Sequence, residues 1–270
     1  MRYRHVRIGP DTIDIWRWPL DVIMGELPRY VTALNDSEFG HASRFANERD
    51  RLRFIVGRGG LREIIGRYLG IPARRLMFAY NAFGKPRLAM ARPPLHFNLS
   101  HSGGMAVLAV SDRYEVGIDI ERIQPLKEDV AGHFFSPAER AALRSLPPDD
   151  YLEAFYRCWT RKEAFVKAHG AGLSLPLDAF DVSIDAAGEP RLLRLAGDPD
   201  ASAQWRLLTL AVPHGFVGAV AASTAGNRVF LRYRSFEDEE KAEDTWAMPA
   251  AIRPPSLSPA DQLFNRASRM

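Results

Sequence analysis

Val116-Gly117-Ile118-Asp119-Ile120-Glu121-Arg122 alternates apolar and acidic side chains, which is the period of a β-strand. Ile118 and Ile120 are expected on one face, in a core, with Asp119 and Glu121 together on the other. Two neighbouring carboxylates repel unless a cation sits between them. A hard divalent ion, which takes oxygen ligands, is the simplest such cation. A surface strand with two solvated acids has the same pattern, so the pair does not decide its own role. A helical segment further along the chain does.

Just before this strand, residues 96–101 read as a strand ending in a turn, and Gly103-Gly104 leads into a buried strand over 105–110. Ser111-Asp112-Arg113 is the best interior boundary. After it come a loop over 124–130 and a strong helix start, Phe135-Ser136-Pro137-Ala138-Glu139. There Ser136 is the N-cap, Pro137 the first helical residue and Glu139 the third, completing a capping box. A second helix is expected over 151–169, and strands over 179–184, 204–212 and 217–222.

In the first part of the chain, residues 10–20 suggest a strand and 31–70 are mostly helical in pattern. Asp36 or Ser37 is the expected cap of one helix. A second runs over 49–69 until Gly70 and Pro72 stop it. Gly57, Gly59 and Gly60 weaken that helix; they lack the ending of a phosphate loop and point to close helix packing. Residues 76–80 are followed by a turn over 81–86.

The order of motifs repeats weakly. Glu48-Arg49-x-x-Leu52 returns as Glu139-Arg140-x-x-Leu143. Arg62-Glu63 with Arg67 and Gly70 returns as Lys162-Glu163 with Lys167 and Gly170. His101 and Ser111 return as His214 and Ser223. This predicts an α+β chain of two pseudo-symmetric halves, 1–112 and 113–234, the second carrying the metal site, with a ligand cleft between them. Residues 235–270, with an acidic run and several prolines, are expected as a disordered tail.

The 270 residues carry a net charge of +3 and are 46% hydrophobic, an ordinary globular balance. No apolar run is long enough to span a membrane and no secretory h-region follows the start, so a cytoplasmic protein is expected. The single cysteine, Cys158, excludes an internal disulfide and a cysteine-rich metal site. Residues 41–76 hold nine arginines against three acids. Such a segment can meet phosphate-bearing ligands, nucleic acid or an acidic protein, or be the solvated face of a helix.

The deciding helix contains Trp159-Thr160-Arg161-Lys162-Glu163-Ala164-Phe165-Val166-Lys167. Glu163 and Lys167 share a face at i and i+4, either as a surface ion pair or as a third metal carboxylate beside a phosphate-binding ammonium. Gly84-Lys85-Pro86, Phe97-Asn98-Leu99-Ser100-His101-Ser102, Gly117-Ile118-Asp119-Ile120-Glu121 and Trp159-x-x-Lys162-Glu163-Ala164-Phe165-x-Lys167 stand in order, then Gly170-x-Gly172-Leu173. Together they resemble the Sfp-type 4′-phosphopantetheinyl transferases, over roughly residues 35–225.

The resemblance implies two α+β halves with the active site at their interface. It also implies Mg²⁺-dependent transfer of 4′-phosphopantetheine from coenzyme A to a serine of an acyl, peptidyl or aryl carrier protein, releasing adenosine 3′,5′-bisphosphate. Asp119, Glu121 and Glu163 would hold the Mg²⁺. Glu163, directly or through a metal-bound water, would take the serine proton. Lys167 would contact the pyrophosphate, with Lys162 nearby. Asn98, Ser100 and His101 would line the nucleotide phosphates. Gly84, Lys85 and Pro86 would lie by the nucleotide, Arg53 would reach the coenzyme, and His41 would face its 3′-phosphate. The expected protein is a monomer that binds neither nucleic acid nor membrane. The competing readings are another metal-dependent phosphoryl-transfer enzyme acting on nucleic acid, and a non-catalytic coenzyme A-binding protein.

Overall fold

The strand quoted above forms as expected. In the computed structural model, which describes residues 6–89, 94–126 and 128–236, it is β6 (Val116–Arg122). Before it come β1 (Thr12–Pro19), α1 (Leu27–Ala33), α2 (Asp36–Ala42), α3 (Glu48–Leu69), the short β2 (Phe78–Tyr80) and β3 (Pro86–Leu88), β4 (His96–Ser102) and β5 (Met105–Ser111). After it come α4 (Val130–Phe134), α5 (Pro137–Arg144), α6 (Pro148–His169), β7 (Phe180–Val182), β8 (Leu192–Leu195), α7 (Ala201–Gln204), β9 (Trp205–Thr209), β10 (Phe216–Ser223) and β11 (Phe230–Arg234). Nearly all of the expected 235–270 tail, from residue 237 on, lies outside the described residues.

Two sheets carry the same topology. In one, β1 leads through α3 to the β4–β5 hairpin, with spatial order β1-β5-β4. In the other, β6 leads through α6 to β9 and β10, with order β6-β10-β9. The expected 112/113 boundary falls between β5 and β6. β11, which the sequence did not suggest, runs parallel to β1 from Thr12↔Phe230 to Trp16↔Arg234. Buried Asp14 clamps it there, accepting from Arg232 Nε at 2.6 Å and Arg234 Nε at 2.8 Å.

One apolar core lies beneath both sheets. It takes Ile13 and Ile15 from β1, Val107 and Ala109 from β5, Ile118 and Ile120 from β6, and Val220 and Ala222 from β10. α6 covers the opposite face of the second sheet, where Phe155, Phe165 and Cys158 pack with Phe180, Ala219 and Ala221. Gly117 permits this approach: a Cβ there would stand 2.1 Å from the Ala164 carbonyl oxygen. Small residues serve α3 in the same way. A Cβ on Gly59 would meet the Tyr30 backbone at 2.6 Å, and one on Gly60 the Trp18 indole at 2.7 Å.

The helix caps correct one expectation. α2 is capped by Asn35, with neither Asp36 nor Ser37 in that place, and Glu38 closes its capping box. The Ser136–Glu139 capping box of α5 forms as predicted.

Candidate active site

β4 and β6 run side by side, joined through the side chains of β4. Asn98 Oδ1 accepts from Ile118 N at 2.9 Å. Ser100 Oγ donates to Asp119 Oδ1 at 2.9 Å, and Ser102 Oγ donates to Glu121 Oε2 at 2.8 Å. The alternation Asn98, Ser100, Ser102 therefore turns three polar groups onto the acidic strand. Ser102 was not singled out from the sequence, although this period of two was there to find it.

α6 crosses the same face and brings Lys167 Nζ to 2.6 Å from Asp119 Oδ1 and 3.2 Å from Ser100 Oγ. Asp119 is only 2% exposed, so the acidic face of β6 is covered by α6 and is not a solvated surface. Its Oδ2 is buried and accepts no hydrogen bond.

Burial raises the Asp119 carboxyl, against the pull of Lys167. Burial also raises Glu121, and the charges of Asp119 and Glu163 add to the rise against the Ser102 hydrogen bond. Glu163 is raised by burial, opposed by Lys167 and reinforced by Asp119. Burial lowers the His101 imidazole, and the charges of Lys167 and Arg53 lower it further. The three acids thus feel one another, and Lys167 is the cation that meets Asp119.

Among the described residues, no three carboxylate or imidazole groups stand close enough to hold a metal as placed. The donor set nevertheless fits a hard divalent ion: three mutually repelling carboxylates, all oxygen, one with a buried atom that nothing satisfies.

Next to this cluster lies a cavity of about 560 Å³. Glu163, Lys167 and Val166 of α6 line it, facing Gly84, Lys85 and Pro86 across the space, with Asn98 and Leu99 from β4. Phe83, Phe134, Leu175 and Leu177 give it an apolar side. Glu163 forms no ion pair or side-chain hydrogen bond among the described residues. Lys85 Nζ donates to Glu115 at 3.0 Å and to the carbonyls of Ala168 and Val116, so it ties the 81–86 turn to the end of α6. Asn81 strengthens the tie by donating to Gly170 O at 2.9 Å.

Lys162 lies elsewhere: it is fully buried and pairs with Glu139 Oε1 at 2.6 Å and with the Phe180 carbonyl at 2.7 Å. This corrects its expected place beside a pyrophosphate. One residue along α6 turns the side chain by about 100°, so the helix that aims Glu163 at the cavity aims Lys162 into the core. His41 is exposed and rests against Phe45 and Phe54. Arg53 is held by Asp21.

The arginine-rich segment is not one solvated basic face either. Arg62 is buried on Glu38, Arg58 pairs with Glu38, Arg49 and Arg53 pair with Asp21, and Arg74 pairs with Asp36.

The known proteins that resemble this chain share one family description. The family model for the 4′-phosphopantetheinyl transferase superfamily matches residues 115–221, and that for the N-terminal part of a 4′-phosphopantetheinyl transferase matches residues 22–113. The chain is 38% identical over 220 residues to 4′-phosphopantetheinyl transferase HetI of Nostoc sp., covering 80% of this chain and 90% of that one. It is 32% identical over 198 residues to 4′-phosphopantetheinyl transferase Sfp of Bacillus subtilis, covering 73% and 86%. Among solved structures, holo-[acyl-carrier-protein] synthase of Thermotoga maritima aligns with 41% of this chain and 62% of its own, at 21% identity and a TM-score of 0.33.

Proposed function

We propose that this chain, which belongs to the 4′-phosphopantetheinyl transferase superfamily, uses Mg²⁺ and the acids of β6 and α6 to move 4′-phosphopantetheine from coenzyme A to a carrier-protein serine. The observation that carries the reading is the contact of Lys167 with Asp119 where α6 crosses β6, with Glu163 and Lys167 lining the cavity beside it.

Asp119, Glu121 and Glu163 would hold Mg²⁺. When bound, it neutralises charge on the pyrophosphate and on the departing bisphosphate. Lys167 leaves its contact with Asp119 for a pyrophosphate oxygen, a short move for a flexible ammonium that stays in the same cluster. His101 donates one hydrogen bond to a phosphate oxygen. Arg53 supplies a fixed positive charge.

The serine hydroxyl attacks the phosphorus bearing the pantetheine arm. Glu163 accepts its proton, and the P–O bond to adenosine 3′,5′-bisphosphate breaks. Glu163 lines the cavity and has no ion-pair partner among the described residues, which leaves its carboxylate open to this role. Lys85 keeps the 81–86 turn against α6, so its backbone and that of Gly84 form the nucleotide wall. The chain is proposed to act as a cytoplasmic monomer; among the described residues no helix is long and apolar enough to cross a membrane.

The test is to incubate the protein with coenzyme A, Mg²⁺ and a panel of apo carrier domains, and to weigh the products. A carrier heavier by one phosphopantetheine, absent when EDTA is added, is expected. Unchanged carrier mass across the panel, with wild-type protein folded, would overturn the reading.

A further inference from the structure

Asp21, just past the end of β1, was not marked by any sequence pattern. Its two carboxylate oxygens take the side of Arg53: Oδ1 accepts from Nε and Oδ2 from Nη2, both at 2.7 Å. Oδ2 also accepts from Arg49 Nη2 at 3.2 Å. The fork rests on the β4–β5 turn, where Leu20 N donates to Gly104 O at 2.8 Å. A Cβ on Gly104 would stand 2.9 Å from both Arg53 Nη2 and Asp21 Oδ2, and the φ of +86° there favours glycine. Arg53 Nη1 has no hydrogen-bond partner among the described residues. The guanidinium is also near enough to His101 for its charge to lower that imidazole.

An arginine gripped along one edge keeps its other edge as a rigid donor, already stripped of most rotamer freedom. A free arginine would lose that freedom on binding a phosphate. Resting on the reading of the site as a coenzyme A cleft, we propose that Asp21 is a positioning residue for coenzyme A, holding Arg53 so that Nη1 meets a phosphate oxygen of the ligand. Asp21 itself touches no ligand. Its effect is on binding and passes entirely through Arg53.

The experiment is a double-mutant cycle on the full chain, reading KM and kcat for coenzyme A and, by titration, its dissociation constant. Asp21→Asn is expected to raise both KM and the dissociation constant about 10-fold, the equivalent of one charge-assisted hydrogen bond, with kcat within about two-fold. In an Arg53→Met background, Asp21→Asn is expected to change neither. Arg49→Gln, which removes the other partner of Asp21, should leave KM in place. Should Asp21→Asn not fold, Arg53→Lys keeps the charge but cannot take the fork, and carries the same expectation.

Repeating the cycle with dephospho-coenzyme A names the phosphate. A penalty that disappears assigns Nη1 to the 3′-phosphate, and one that persists assigns it to the pyrophosphate. An unchanged KM in Asp21→Asn, or an equal rise in the Arg53→Met background, would overturn the proposal. Wild-type protein that neither binds coenzyme A nor modifies any carrier would instead sink the functional reading beneath it.

Discussion

α3 and α6 are the same device built twice and put to different uses. Each has 22 residues and ends on a glycine in the left-handed region, Gly70 or Gly170. At the same step each buries a cation, Arg62 or Lys162, on the capping-box glutamate of a preceding short helix, Glu38 of α2 or Glu139 of α5. The next residue is a glutamate in both. Glu63 is held by Arg29 at 2.5 Å, while Glu163 has no ion-pair partner among the described residues and faces the cavity. The buried pair fixes the rotation of each helix about its axis. Only in α6 does that rotation present an uncommitted carboxylate to a second acidic strand.

The largest effect expected is at Asp119; Asp14, set between two core isoleucines of β1 in the same way, is taken up by Arg232 and Arg234. Asp119→Asn should lower carrier modification by about 10³-fold or more, as expected for loss of a group that stabilises transferring phosphoryl charge. Circular dichroism should stay unchanged. Turnover near that of wild type would remove β6 from the site.

The two buried pairs provide the next test. Lys162→Met leaves Glu139 buried without its cation and should cost about 3–5 kcal/mol in urea unfolding. Arg62→Met should cost a similar amount through Glu38. Adding Glu139→Gln to Lys162→Met should recover most of the loss. If Lys162→Met instead weakened coenzyme A binding at unchanged stability, Lys162 would belong with the ligand after all.

Gly117→Ala probes the contact that lets α6 reach β6. Its Cβ would drive against backbone atoms of Ala164 and Ala168, so about 1–3 kcal/mol of overpacking is expected, with loss of transfer alongside. Full stability and full turnover together would mean that the approach is looser than the contacts imply.

Much of this was legible from local signals. The alternation at 116–122, the Ser136–Glu139 capping box and the Glu163–Lys167 spacing each need only a few residues of context. The repeat keeps its order in the structure, with one different partner. Glu48 opens α3, and the counterpart of Glu139 is Glu38. Asn35, Asp36 and Ser37 are equally good capping residues, so the local sequence does not choose Asn35 among them.

What the sequence withheld was non-local. β11 meets β1 across 218 positions, and nothing near residue 230 advertises that partner. Period two says which face Asp119 occupies, but not that α6 covers it. Charge counting marked the arginines of α3, yet could not separate Arg62 in the core from Arg53 beside the site. That separation depends on Glu38 and Asp21, which lie in other elements.

A smaller effect belongs to the strap between the halves. Glu115 is lowered to about 2, first by its hydrogen bond with His96 and then by the charge of Lys85, against the effect of burial. Its folded value lies below the ordinary 4.5, so its stabilisation is present above about pH 4.5 and is lost as pH falls through about 2. Glu115 is half exposed, so only a few tenths of a kcal/mol are expected. Glu115→Gln should flatten the acid limb of a stability–pH curve measured by urea unfolding. An unchanged limb would show that the strap contributes nothing there.

The central claim is that one of two look-alike glutamates does chemistry and the other holds the fold. Glu163→Gln and Glu63→Gln should be compared in one intact-mass assay with coenzyme A, Mg²⁺ and an apo carrier that the wild-type protein modifies. The account predicts that the Glu63 variant, though less stable, still converts the carrier, and that the Glu163 variant leaves it unmodified. Equal conversion by both proteins would contradict it.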